Sequence, residues 1–328
     1  MIKHGRLLVV KGAHVYDMSD LLSSVKWSGR KGSPARKLEA VFIDDDRLGQ
    51  GRADIDVEDG QQCVFLWKNK ELFRGMFMRQ GQSRTKIKSV LAYDNGIRLS
   101  NNRDSFAYEN VTASHVFVDV CKRFGIPTGE VVNTHHHIPE LPKPRTTGWD
   151  AIADALTQTF EATGIRYYVM CIGEKLHLIE RRRNILQWVI ETGVNLENYS
   201  YTKSIEKIRT RINLLSRENY VLATAINHSL ESRIGIFQDV VSVTDELNEA
   251  QLNERANTVL EENNKALETF SVSVPFGKTD IVAGVGVYIV LNPLDMEQTF
   301  YVEQDTHTFS GREHTMSLSL CATLDFSR

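Results

Sequence analysis

The sequence predicts an α+β protein that is mainly β, with a short helical segment set between two β-rich arms. Apolar residues recur at helical spacing in parts of Val111–Arg183 and again in Asp245–Phe270. Elsewhere, short runs rich in β-branched and aromatic residues are bounded by turn residues, which is typical of strands. This order of elements contains no recognisable catalytic motif and indicates a structural protein.

The first helix of the segment begins after Thr112, whose hydroxyl can accept a hydrogen bond from the free amides of the first turn. Gly125 ends it by tolerating a left-handed conformation, and Pro127 prevents its continuation. One apolar stripe is predicted to be buried: Val116, Phe117, Val120, Cys121 and Phe124.

The second helix is predicted to begin after Thr147, with Asp150 placed to complete a weak capping box, and to end at Gly164. Its predicted buried face comprises Trp149, Ile152, Ala153, Leu156 and Phe160. A hairpin follows, with strands at Ile165–Ile172 and Leu176–Glu180. Between the helices, Thr128–Thr147 contains three prolines and little periodicity. We predict a long surface loop there, which is a candidate contact site.

The first arm is predicted to be an antiparallel barrel or sandwich, because its strands are short and separated by turn signals. The residues Lys68, Asn69 and Lys70 form a hairpin signal between two of these strands. The predicted strands are Val25–Trp27, Lys37–Ile43, Cys63–Trp67, Glu71–Met78 and Lys86–Asp94.

The second arm contains strand candidates before and after the helix Asp245–Phe270. The helix carries a narrow apolar stripe, so we expect Leu260 to be buried and Glu254, Glu261 and Asn264 to be largely exposed. The predicted strands are Tyr199–Thr202, Thr210–Ser216, Ile236–Val243, Phe270–Val274, Ile281–Val290, Thr299–Thr308 and His314–Ala322.

Composition excludes several function classes. Lys and Arg number 39 against 42 Asp and Glu, a formal charge of −3 that gives no general affinity for nucleic acid. No apolar run approaches membrane-spanning length, and the apolar start of the chain is too short for a secretory signal.

The four cysteines are far apart and are predicted to be buried free thiols in a reducing compartment: Cys63, Cys121, Cys171 and Cys321.

The strongest metal candidate is the run His135, His136 and His137, since neutral imidazole binds zinc, nickel or iron. Three consecutive side chains in an extended segment do not all point at one ion, so we favour a solvated loop or subunit contact. The acidic run Asp44–Asp46 lacks the alternating oxygens and distal Glu of an EF-hand and is predicted to be a charged turn. No cofactor and no catalytic residue are predicted.

Two further motifs have a functional and a structural interpretation. The run Arg181–Arg183 has the chemistry to bind phosphate or an acidic partner, but we favour a strand exit that faces water. The run Gly284–Gly286 lacks the third glycine of a dinucleotide-binding fingerprint and precedes a strand, so we predict a tight bend with a close backbone approach.

Several segments together resemble the XkdQ-like baseplate hub proteins of contractile tails, found in PBSX-type prophages. The late control protein D family and the hub of T-even phages are more distantly similar. The resemblance covers most of the chain and rests on order and length more than on any single motif. Its segments are Val64–Gly75, Cys121–Pro127, Ser200–Glu206, Thr210–Ile212, Phe300–Val302, His307–Phe309 and His314–Leu318.

The resemblance implies two tube-like β-barrels in each subunit of a trimeric ring. The first barrel would span 1–105, an α/β insertion 106–195, and the second barrel 196–328, with a helical insertion at about 244–270. Such a homotrimer would join a sixfold tail tube to a threefold central spike and would also contact tape measure and other baseplate proteins.

Assembly would take place in the bacterial host cytoplasm, and the location would be the baseplate of a virion or tail-like particle. The alternatives are a metal-assisted hydrolase that uses the His135–His137 loop and a monomeric adaptor module.

Overall fold

The computed structural model describes residues 2–43, 57–82, 87–181, 185–216, 218–243 and 247–321. Strands dominate these ranges, which confirms the predicted mainly β, α+β class. The chain divides into two compact units, one of Met1–Tyr199 and Val272–Leu320, the other of Ser200–Ser271 and Cys321–Arg328. The proposed domain boundaries near 105 and 195 stay predictions.

The described residues of the first unit begin with seven strands, of which five coincide with predicted ones. The predicted hairpin turn is formed by Lys68 and Asn69, with φ angles of 49° and 65° that suit a two-residue hairpin loop. The strands are β1 (Gly5–Lys11), β2 (His14–Asp17), β3 (Leu22–Arg30), β4 (Lys37–Ile43), β5 (Gln62–Trp67), β6 (Lys70–Gln82) and β7 (Ile87–Tyr93).

The helical segment follows in the same unit. Thr112 and Thr147 cap the two long helices as predicted: each hydroxyl accepts an amide hydrogen bond three residues later, and Gly164 ends the second helix with a φ of 66°. The elements are α1 (Ile97–Asn101), β8 (Arg103–Thr112), α2 (Ala113–Arg123), β9 (Thr128–Val131), β10 (His137–Thr147), α3 (Gly148–Thr163), β11 (Tyr167–Ile172) and β12 (Lys175–Glu180).

The prediction of a long loop at Thr128–Thr147 is wrong, because this segment contains β9 and β10. Strand β10 pairs antiparallel with β8, and β9 pairs in parallel with β12. The prolines are tolerated because β10 pairs with β8 alone among the described strands, so not every backbone N–H is needed for pairing. Local composition did not reveal the partner strand that organises this segment.

The predicted buried face of α3 is only partly correct. Ala151, Ile152, Ala155 and Thr159 are buried against α2 and the neighbouring strands. The rest of the predicted stripe is half-buried: Trp149, Ala153, Leu156 and Phe160. The helix therefore has two apolar faces, and only one of them belongs to the closed core.

The remaining elements complete both units. Helix α5 is shorter than the predicted helix because Asn248 and Gln251 form a capping box at its start and a strand resumes at Leu267. The elements are β13 (Ile185–Glu191), β14 (Asn198–Ser204), β15 (Arg211–Leu215), β16 (Val221–Ile226), α4 (His228–Ile234), β17 (Gln238–Ser242), α5 (Glu249–Asn263), β18 (Leu267–Val274), β19 (Gly286–Leu291), β20 (Met296–Ser310) and β21 (Glu313–Cys321).

One large sheet in the first unit brings the two ends of the chain together. Its order runs β21-β20-β3-β4-β7-β6-β5-β1-β2, and β20 pairs antiparallel with β3 from Gln304 beside Arg30 to Ser310 beside Ser24. The main core accordingly combines N-terminal side chains with Val282, Val285 and Phe309. Because β3 and β20 come from opposite ends of the chain, both terminal segments are needed to form the sheet.

The second unit contains a three-stranded sheet, β16-β15-β17, against which α5 packs. Side chains at alternating positions of β15, including Ile212 and Leu214, contact Leu252, Ala256 and Leu260 of the helix. Leu260 is buried and Glu254 and Glu261 are exposed, as predicted, whereas Asn264 is half-buried. The helix therefore contributes to the core of this unit.

Replacing Leu260 by Asp is expected to disrupt the packing between α5 and its sheet, since an unpaired carboxylate would be placed in an apolar cluster. We expect loss of amide protection from hydrogen exchange in β15, β16 and α5, with protection retained in β20. Glu261→Asp, at an exposed neighbouring position, is the control and should leave protection unchanged. Equal loss of protection in β20 would show that the units do not behave independently.

Candidate functional site

A buried ion pair lies where the N-terminal and C-terminal strands meet. Arg36, just before β4, donates through two guanidinium nitrogens to both carboxylate oxygens of Asp305 in β20. Asp305 is fully buried and also accepts a hydrogen bond of 2.6 Å from the backbone N–H of Ala283. The guanidinium lies 4.1 Å from the ring centroid of Trp27. The pair thus links three segments that are distant in sequence.

A second buried carboxylate lies on the backbone side of Arg36. Asp94 accepts hydrogen bonds from the backbone N–H groups of Arg36, at 3.0 Å, and Gly96, at 2.9 Å. Burial raises the pKa of Asp94 to about 7, although these hydrogen bonds and the Arg36 charge act in the opposite direction. Asp94 therefore fixes the turn that carries Arg36 and the start of α1.

Two histidines extend this polar cluster along β20 and β21. His307 Nε2 lies 2.9 Å from the carbonyl oxygen of Ile281, and His307 Nδ1 lies 2.9 Å from His314 Nε2. A carbonyl only accepts, so Nε2 of His307 carries a proton. In the neutral pair, Nδ1 of His307 then accepts from His314. Burial lowers the pKa of both imidazoles, so both stay neutral near pH 7.

Stability is expected to fall in acid because of His314. Burial, His307 and Lys68 lower its pKa from 6.5 to about 3, so between these values the unfolded chain binds a proton that the folded chain does not. One such group makes the free energy of unfolding decrease by up to about 1.4 kcal/mol for each pH unit lost in this window. His314→Gln should reduce the slope by about this amount in urea unfolding measured from pH 6 to 4.

The control for this experiment is Val118→Gln, because Val118 is 41% exposed on α2 and neither side chain titrates. It should leave the pH slope of the unfolding free energy near that of the unaltered protein. The opposing contribution of Asp94 is common to all three proteins and does not affect the comparison. An unchanged slope in His314→Gln would contradict the assignment of a neutral buried imidazole.

A cavity of about 150 Å³ lies beside the half-buried face of α3. Helix α3, the start of β11 and the turn after β3 form most of its wall. The Arg166 guanidinium lies 3.4 Å from the ring centroid of Phe160 at one side. The lining residues are Lys31, Gly32, Trp149, Ala153, Leu156, Thr157, Phe160, Arg166, Tyr167, Tyr168, Arg181 and Gly284.

Arg181 contributes to this wall from a buried position, so the prediction that it faces water is wrong. Its guanidinium lies 4.2 Å from the ring centroid of Tyr301 and 3.3 Å from a carboxylate oxygen of Glu303. The ammonium of Lys31 lies 3.2 Å from the same carboxylate oxygen. Tertiary packing places Arg181 next to Glu303 of β20. The run of arginines in the sequence does not reveal this partner. Arg182 and Arg183 lie outside the described residues.

The predicted close approach at Gly284 is confirmed. Its φ is 95°, and a Cβ atom there would lie 2.7 Å from the ring of Tyr168. A larger residue would therefore push this ring into the cavity or strain the backbone. Gly284 is thus required both for the bend before β19 and for the shape of the cavity.

The three histidines of the metal candidate lie at the start of β10 and in the turn before it. His135 and His137 are exposed and His136 is half-buried. His137 Nδ1 lies 3.2 Å from the carbonyl oxygen of Asn110. In the described part of the chain, no group of three or more His, Cys, Asp or Glu side chains is arranged to hold a metal ion. The described residues thus add no His, Cys, Asp or Glu side chain that completes a metal site with these histidines.

Other predicted features have mixed outcomes. All four cysteines are free thiols, of which Cys171 is half-buried and the others are buried. Burial raises the pKa of Cys63 and of Cys121 to about 12, so these thiols are unreactive. The run Asp44–Asp46 lies outside the described residues. No helix in the described ranges combines the length and apolar composition that crossing a membrane requires.

Sequence reasoning missed both the ion pair and the cavity. Arg36 and Asp305 are isolated charged residues far apart in sequence, and no local signal connects them. The cavity did have a signal, because Trp149, Ala153, Leu156 and Phe160 follow helical spacing. We interpreted that stripe as core, since spacing alone does not distinguish a core face from a cavity wall.

Known proteins resemble this chain both in sequence and in fold. The chain is 32% identical to the phage-like element PBSX protein XkdQ of Bacillus subtilis over 319 residues, which cover 96% of each protein. The 43 kDa tail protein of prophage MuSo2 from Shewanella oneidensis has the same fold, with a TM-score of 0.71 at 11% identity over 97% of this chain and 98% of that one.

A more distant fold likeness is found in the c3393 protein of Escherichia coli, a component of the type VI secretion system. Its TM-score is 0.56 at 8% identity, over 93% of this chain and 74% of that one. At such identities the likeness establishes the fold alone. The model of the YQBQ-like family matches residues 25–321, nearly the whole chain. This match and the full-length identity to XkdQ confirm the resemblance seen in the sequence: the protein belongs to the YQBQ-like family.

Proposed function

We propose that this protein is a structural component of the contractile tail of a phage or phage-derived particle, and that it acts by binding its neighbours and not by catalysis. The observation that carries the proposal is the extent of the similarity. It covers 96% of this chain and of the PBSX protein, and the fold likeness to the MuSo2 tail protein covers 97%. The shared property is therefore the whole architecture and not a single module.

Within the tail, we assign the protein to the baseplate hub. A homotrimeric ring of tube-like barrels, two per subunit, would match the sixfold tail tube to the threefold spike and leave a central channel. The c3393 protein supports this assignment, because it is described as structurally similar to the T4 tail proteins gp27 and gp5. The partners would be tube, spike, tape measure and other baseplate proteins. The ring would form in the host cytoplasm.

The edges of the large sheet also favour assembly. Strand β2 pairs only with β1 among the described strands and exposes 61% of Val15 and 50% of Tyr16. Strand β13 belongs to the same sheet, because it pairs with β19, which pairs with β20. It exposes 47% of Ile185 and 42% of Val189. An edge strand with exposed apolar side chains is a site for pairing with another chain. Contacts between copies along these edges would cover both.

Stoichiometry tests this proposal. We expect three copies at the end of the tail tube in a particle reconstruction. If the ring forms without the tail, light scattering should give a mass three times the 37.2 kDa of one chain. Each subunit interface should bury well above roughly 1,000 Å², as specific contacts do. One copy or six copies in the particle would contradict the hub assignment.

A surface variant provides a second readout of the same assembly. Val15→Lys should weaken the trimer, because it places a charge on the exposed edge of β2. Val118→Lys is the matched control, since Val118 is 41% exposed on α2, away from a strand edge. Both variants should melt like the unaltered chain. Equal assembly of both variants would exclude the β2 edge from the interface.

A further inference from the structure

The cavity beside α3 has a partly apolar wall. Five residues of α3 line it, four of them apolar, and Tyr167 and Tyr168 line another side. Gly284 leaves room for the ring of Tyr168, because a Cβ atom there would lie 2.7 Å from this ring. An apolar cavity of roughly 150 Å³ holds a molecule about the size of benzene. This wall therefore suits a single aromatic ring or a branched aliphatic group.

The charge of the cavity wall adds a second requirement for a ligand. Lys31, Arg166 and Arg181 line the cavity, and none of its described lining residues is acidic. Glu303 contacts Lys31 and Arg181 but is not part of the lining. Arg166 is held by its contact with Phe160 next to the apolar wall. Guanidinium groups bind carboxylates in a planar, bidentate geometry, so the wall favours an anionic group of that shape.

We propose that this cavity binds an apolar group of aromatic-ring size that carries a carboxylate. The ring would occupy the space along α3 between Trp149 and Phe160, and the carboxylate would accept hydrogen bonds from Arg166. Arg166 is the residue whose replacement tests recognition, because its guanidinium lies against the Phe160 ring at the apolar wall. Lys31 and Arg181 add favourable charge, although both contact Glu303. The site lies on one chain, so binding there does not depend on a role in a tail.

The test uses the full chain and N-acetyl-L-phenylalanine, measured by isothermal titration and by chemical shift changes. We expect saturable binding with a Kd on the order of 1 mM or lower. The neutral N-acetyl-L-phenylalaninamide, which has the same ring, should bind at least about tenfold more weakly, because it lacks the charge-assisted hydrogen bonds. Equal binding of acid and amide, or no saturable binding of the acid, would overturn the proposal.

Variants separate the two parts of the site. Arg166→Gln should weaken the acid about tenfold and leave the amide unchanged, whereas Arg166→Lys should retain part of the effect by keeping the charge. Leu156→Trp and Ala153→Phe should each fill the cavity and abolish binding of both compounds. Circular dichroism and thermal melting establish which variants are folded. One folded filling variant is enough for the test. Undiminished binding to a folded filling variant would place the ligand elsewhere and refute the site.

A last comparison identifies the source of the carboxylate. A peptide with a C-terminal phenylalanine is titrated with its terminus free and amidated. Tighter binding of the free-terminus peptide than of N-acetyl-L-phenylalanine supports a polypeptide C-terminus as the ligand. Binding of N-acetyl-L-phenylalanine without either peptide supports a small carboxylic acid. Equal binding of both peptides would contradict recognition of the carboxylate.

Discussion

Replacing Asp305 by Ala is expected to destabilise the protein by about 3–5 kcal/mol, the cost of leaving a buried charge without its partner. The Arg36 guanidinium would remain in a site where its side chain is only 11% exposed, and the N–H of Ala283 would also lose its acceptor. Most proteins are stable by only about 5–15 kcal/mol, so little soluble protein should accumulate at 37 °C. Urea unfolding at low temperature provides the measurement.

Asp280→Ala is the matched control for this result. Asp280 pairs with Lys70, but the side chains are 49% and 59% exposed. Water solvates both charges after the change, so the expected cost is below about 1 kcal/mol. Similar losses at Asp305 and Asp280 would mean that the buried pair is much better hydrated than its contacts indicate. Both variants lose an ion pair. The difference between their free energies of unfolding therefore measures the effect of burying the pair.

Replacing Phe117 by Ala should cost about 3–5 kcal/mol, the range for truncating a fully buried aromatic side chain. Phe117 has no exposed surface and lies in the cluster that joins α2 and α3 to the neighbouring strands. The variant loses apolar contacts and leaves a cavity that the surrounding elements fill incompletely. Val118→Ala, at a 41% exposed position on the same helix, should change stability by less than about 0.5 kcal/mol.

Chemical unfolding of both variants provides the comparison for Phe117. A loss below about 1 kcal/mol in Phe117→Ala would show that the cluster repacks around the missing ring. Phe124 and Trp149 are only half-buried, so truncating them should cost less than the full range expected for buried aromatics.

Local signals were sufficient where an element depends on its own residues. Thr112 and Thr147 act as helix caps because a hydroxyl reaches an amide three residues away, whatever the rest of the chain does. The turn at Lys68 and Asn69 was predicted for the same reason. These features depend on contacts between residues that are only a few positions apart in the sequence.

Elements whose state depends on a distant partner were predicted poorly. The proline-rich strand β10 forms because β8 lies beside it, and its own composition favours a loop. The predicted helix continued past Asn263 through apolar residues that are instead part of β18. In both cases the tertiary environment outweighs local propensity, since strands gain most of their stability from neighbours.

The sequence alone determined that this chain is mainly β, where its two long middle helices begin, and which protein family it resembles. Only the tertiary structure decided that β20 lies beside β3, that Arg36 meets Asp305, and that one apolar stripe of α3 lines a cavity. The physical reason is distance along the chain. Caps and turns are fixed by contacts within a few residues, whereas sheet order, buried ion pairs and cavities arise from groups brought together by the complete fold.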